Sequence, residues 1–102
     1  MSQRYATYFA MVGARGERWD ASRTMSQQGQ YKEHMAFLDA LTDDGLVILG
    51  GPLGEREERF LFIFAAENAD EVEARLADDP WMRLGIVLIA SVERWDILVQ
   101  SA

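Results

Sequence analysis

Cysteine is absent from this 102-residue chain, and histidine occurs once, at position 34. No disulfide framework or thiolate metal site can be built without cysteine. A single imidazole argues against a zinc-type ligand set and leaves a mixed carboxylate site as the open alternative. Cations are also scarce. Ten lysines and arginines face seventeen acids, for a net charge of −7. No basic stripe is visible, so nucleic acid is not an expected partner, because the phosphate backbone rewards clustered Lys and Arg. Long apolar runs are missing as well. The stretches Phe60–Ala66 and Ile86–Ala90 are far too short to span a bilayer, so no membrane partner is expected. The opening MSQRYATYF has no apolar signal region before the first strand, and a cytoplasmic location is the expectation. Gly50-Gly51 is not followed by the lysine and helix of a phosphate loop, and no cofactor is expected.

Almost half of the residues are apolar, enough for one core, and residues 1–102 read as a single domain. Tyr5 to Val12 is short and aromatic and reads as a first strand closed by Gly13. The segment Gly13–Gly29 reads as a long, mobile loop bordering the site, with Trp19 as an anchor that packs down when a ligand binds. A helix follows, starting between Ser26 and Tyr31. Tyr31, His34, Met35, Phe37, Leu38 and Leu41 recur at helical spacing, and Gly45 ends it. Asp43 and Asp44 oppose the helix dipole there and predict fraying. Leu46–Leu49 reads as a second strand, broken or bulged by Gly50, Gly51 and Pro52. Phe60–Ala66 is the third strand. Asn68 with Glu71 forms a capping box for a second helix, which Pro80 stops. Ile86 to about Val99 is the last strand, with a bend near Glu93–Arg94. The order β-α-β-β-α-β predicts an α+β, ferredoxin-like fold, with one antiparallel sheet and two helices on one face.

Two helices can cover only one face of that sheet, yet both faces are apolar. Phe60, Phe62 and Phe64 alternate with Leu61, Ile63 and Ala65, and Ile86, Leu88 and Ala90 alternate with Val87 and Ile89. A soluble monomer seldom leaves so large an apolar patch uncovered. A homodimer packed through the sheet face is therefore expected, its two sheets forming a barrel-like interior.

His34 lies on an apolar helix stripe, where a polar ring must find a partner or a use. Satisfaction by one backbone carbonyl is the bland alternative. Asp79 is restrained by Pro80 and followed by Trp81, which suits a carboxylate that orients a histidine base; an ordinary helix stop explains it equally. Tyr8, Gly51, Pro52 and Trp81 are the candidates to line a substrate pocket. Core packing competes for the aromatics, and a β-bulge for the glycine segment. Arg56, Arg59, Arg83 and Arg94 could meet an acidic substrate or be plain solvated surface.

Five segments together resemble the YCII-related (YciI-like) family. They are the strand YFAMV; His34 with Phe37-Leu38, Leu41 and Gly45; Leu49-Gly50-Gly51-Pro52-Leu53; Asp78-Asp79-Pro80-Trp81 with Gly85; and Val92-Glu93-Arg94-Trp95. The resemblance implies the dimeric α+β barrel superfamily. It also implies an active pair of His34 and Asp79, with Asp78 as the alternative acid. Trp81 departs from the phenylalanine often found at its position. The expected function is general acid/base chemistry of isomerase or lyase type on a small ligand, such as a cyclic or aromatic one. The alternatives are a non-catalytic small-molecule binding or regulatory dimer and a plain interaction module.

Overall fold

Strand-forming segments of alternating apolar residues assemble into one four-stranded antiparallel sheet, order β2-β3-β1-β4, in a computed structural model that describes residues 7–101. The elements are β1 (Tyr8–Arg15), α1 (Tyr31–Asp43), β2 (Val47–Leu53), β3 (Arg59–Ala65), α2 (Ala69–Leu76), α3 (Pro80–Leu84) and β4 (Val87–Arg94). This is the ferredoxin-like arrangement with one short helix more than expected. Pro80 does not merely end a helix. Its fixed φ and missing N–H suit the first position of a new one, so the chain restarts as α3 behind an Asp79 cap.

Several strand boundaries move. Gly13 does not close β1 but sits inside it, where the register against β4 shifts between Val12 and Gly13. Tyr5 and Ala6, expected in that strand, lie outside the described residues. β2 runs on through Gly50, Gly51 and Pro52, because it is an edge strand that tolerates a residue without an N–H. Its irregularity falls earlier, between Val47 and Leu49. β4 ends at Arg94 instead of near Val99.

Asn68 and Gly45 bound their helices as the sequence indicates, but Glu71 reaches the Glu67 N–H and not that of the Asn68 cap. Asn68 Oδ1 accepts the Glu71 N–H at 2.9 Å, while the Glu71 carboxylate accepts the Glu67 N–H at 2.8 Å. Gly45 adopts φ +80°, the left-handed conformation that closes α1. At the acidic end of α1, Arg75 reaches Asp44 at 3.1 Å in an exposed pair.

Register sorts the side chains into two faces. Phe9, Met11 and Gly13 pair with Phe64, Phe62 and Phe60 on the face under the helices. Phe9, Met11 and Phe64 join Leu41, Leu46, Val47, Val72 and Leu76 in the main core. Trp19, Phe60, Trp81, Ile86 and Val87 form a second cluster. Tyr8, Ala10 and Val12 pair with Ala65, Ile63 and Leu61 on the opposite, helix-free face.

The segment between β1 and α1 is organised by one side chain. Gln28 is buried; its amide donates to the carbonyls of Asp20, Arg23 and Thr24 and accepts the Asp20 N–H. Hydrogen bonds from the Ser22 hydroxyl and amide hold the Asp20 carboxyl below its ordinary range. Met25–Gln27 makes a single 3₁₀ turn. Trp19 is already packed down, 8% exposed against Phe60 and Trp81, so its anchoring requires no ligand.

Candidate active site

His34 occupies the first turn of α1, on the side that faces α3 and the sheet. Its Nδ1 lies 2.9 and 3.0 Å from the two carboxylate oxygens of Asp79. The pair joins residues 45 apart in sequence inside the protein, with Asp79 1% and His34 8% exposed. The second ring nitrogen, Nε2, makes no hydrogen bond among the described residues.

Local structure explains why Asp79 points there. It is the N-cap of α3, and its Oδ1 also accepts the Trp81 N–H at 3.1 Å. One carboxylate thus satisfies a helix start and a histidine. Asp78, the alternative acid, pairs instead with Arg83 on the surface.

Trp81 fixes the plane of the ring. Its indole stacks on His34 at 3.8 Å between centroids and 5° between planes. The indole N–H donates to the Gly29 carbonyl at 2.8 Å, which ties the loop to the site. Trp81 borders the cavity, but its faces are occupied by protein: His34 lies on it, and Trp19 meets it edge-on at 5.8 Å.

A cavity of about 420 Å³ adjoins this pair, room enough for a small molecule. Of the candidate site residues, His34, Asp79, Gly51, Pro52 and Trp81 line it. Tyr8 does not. Alternation along β1 puts it on the helix-free face, away from His34, and an aromatic in a first strand carries no mark of which face it takes.

Sequence reasoning missed much of the wall. Tyr31, Met35, Leu38 and Thr42 form one stripe of α1 facing the cavity, with His34 at one border of the stripe and Asp39 at the other. The helical periodicity was visible, but it reads the same for a core face as for a cavity wall. Met11, Met25, Met35 and Met82 all contribute, as do Phe60 and Phe62. Gly50 explains how Phe62 fits. A Cβ there would stand 2.2 Å from the Phe62 ring, so the ring lies directly over the glycine. That packing, more than ligand approach, accounts for Gly50.

None of Arg56, Arg59, Arg83 and Arg94 lines the cavity. Among the described residues, no three His, Asp or Glu side chains cluster to hold a metal ion. No helix among them is long and apolar enough to cross a membrane.

A buried carboxylate on Nδ1 selects the Nδ1–H tautomer and leaves the lone pair on Nε2. The arrangement can accept a proton at Nε2 and stabilise the resulting imidazolium through Asp79.

Comparison with known proteins agrees with this architecture. A solved structure of 5-chloro-2-hydroxyhydroquinone dehydrochlorinase from Burkholderia phenoliruptrix, in complex with 2,5-dihydroxybenzoquinone, is similar over 86% of this chain and 93% of that one. The TM-score is 0.57 and the sequence identity 25%. No curated protein matches the sequence. The model of the YCII-related domain matches residues 9–96, and the chain belongs to that family.

Proposed function

We propose that this protein is an enzyme that moves a proton on a small ring compound, with His34 Nε2 as general base and then general acid. The observation that carries the reading is the buried His34–Asp79 pair beside an apolar cavity, with only Nδ1 engaged. Asp79 orients the ring and balances the charge that develops on it. Trp81 stacking keeps Nε2 from swinging away. Positioned acid–base catalysis of this kind contributes roughly 10²–10⁴-fold to a rate. Isomerisation and elimination both proceed by such a transfer, and the similar dehydrochlorinase makes elimination from a chlorinated hydroxyhydroquinone the natural first probe.

The test is chloride release from 5-chloro-2-hydroxyhydroquinone, with a panel of hydroxylated rings as further substrates. Activity that disappears in His34→Asn, in a variant that still binds the ring, supports the proposal. Activity unchanged in that variant would defeat it. Binding without turnover across the panel favours the second reading, a non-catalytic small-molecule binding domain in which the pair satisfies itself.

We also propose that two copies pack through the helix-free sheet face. Leu49 and Leu88 lie on it at 61% and 46% exposure, beside Tyr8, Val12 and Leu61. Ile63 shares that face but is already buried within one protomer.

A further inference from the structure

The walls of the cavity differ sharply in charge. Among the described residues no Lys or Arg lines it, whereas Asp39 and Asp79 both do. Several of the arginines are engaged elsewhere. Arg83 pairs with Asp78, Arg94 with Asp96 and Arg75 with Asp44, while Arg15 donates to the carbonyls of Arg56 and Glu57 and covers Trp19.

Asp79 is fully engaged by His34 and the Trp81 amide. Asp39 has no hydrogen bond or ion pair among the described residues. It stands five residues beyond His34 on the same helix, about 7.5 Å along the axis.

Between these two poles the wall is formed by thioethers and aromatic rings, which suit a flat apolar body. A carboxylate or phosphate entering here would give up hydration, find no Lys or Arg in the described lining and approach the exposed Asp39 carboxylate. A hydroxyl can donate to Asp39 without that penalty.

We propose that the cavity selects its ligand by charge, taking an uncharged ring that carries hydroxyl donors and turning away ring carboxylates and phosphates, with Asp39 as the specificity-determining residue. The inference rests on the proposed use of this same cavity as the site. It specifies which rings enter, independently of whether His34 then acts on them. It also separates this chain from a preference for 2,5-dihydroxybenzoquinone. The hydroxyls of that compound are vinylogous acids, so it is an anion near neutral pH.

The test uses the whole chain and three probes of one shape: 4-methylcatechol, 4-methylbenzoate and 4-methylbenzylamine. Affinities are read by ligand-observed NMR on wild type, Asp39→Asn, Asp39→Lys and His34→Asn, with circular dichroism to check that each variant folds. The catechol should bind wild type at least about tenfold more tightly than the benzoate. Asp39→Asn should narrow that ratio, and Asp39→Lys should reverse it. The expected ratio in wild type together with no turnover of the ring panel fails the catalytic reading alone, with His34→Asn as the turnover control, so the two failures remain distinct. Equal binding of benzoate and catechol, a ratio indifferent to Asp39→Lys, benzylamine binding no better than benzoate, or no binding of the catechol at millimolar concentration would each overturn the proposal.

Discussion

A histidine ring held between a carboxylate and an indole face can be altered one contact at a time. His34→Ala removes both contacts and leaves a buried carboxylate short of a partner, a loss of about 1–3 kcal/mol. His34→Asn keeps an N–H near the Nδ1 position and should lose less, while removing the basic nitrogen. Thermal melts of the two variants check that order. Asp79→Asn presents an amide to the ring and favours the wrong tautomer. Activity should then fall by about 10²–10⁴, with Trp81 still stacked, as its near-ultraviolet dichroism would report. Both members of the pair were legible in the sequence. His34 was the lone polar ring on an apolar stripe, and Asp79 was constrained by Pro80. What could not be read was that Asp79 caps a helix of its own, because a proline after an acidic pair marks a helix start as readily as a helix stop. Asp39 and Thr42 were passed over because exposed polar positions on a helix resemble any solvated face.

Among the elements, α1 and α3 supply much of the cavity wall, and the edge strand β2 and Met25 of the segment before α1 complete it. Gln28 holds the loop through four hydrogen bonds. Gln28→Ala should speed amide exchange from Asp20 to Gln28 while leaving β1 and β3 protected. Gly50→Ala must displace the Phe62 ring, a change that overpacking data place at about 1–3 kcal/mol. It should also weaken ring-compound binding, which a titration against wild type would detect. The strands were recognisable from alternation, and their limits were not. Gly13 within β1 and Gly50-Gly51-Pro52 within β2 looked like strand ends, yet bulges and edge positions accommodate them. Tyr8 was misplaced for the complementary reason. A strand's period gives two faces, and only the register against β3 says which one meets the helices.

At the scale of the whole molecule, the apolar pattern of β3 and β4 predicted a sheet with one face unclaimed by helices, and the topology places Leu49 and Leu88 there. Leu88→Glu changes a side chain that one protomer leaves 46% exposed, so the fold should survive. Light scattering at low micromolar concentration should give a dimer for wild type and a monomer for the variant. A wild-type monomer that is fully folded would contradict pairing through this face. Fold class was readable because topology follows from element order. Assembly and ligand charge depend on which side chains meet in space.

In the proposed site, His34 presents a bare Nε2 to the cavity while Asp79 holds Nδ1–H. His34 is the chain's only histidine, so its ring gives a single set of signals in a long-range nitrogen–proton NMR spectrum. Wild type should show a protonated Nδ1 and an unprotonated Nε2, with that preference lost in Asp79→Asn. A ring that carries its proton on Nε2, or one whose tautomer ignores Asp79→Asn, would contradict this arrangement.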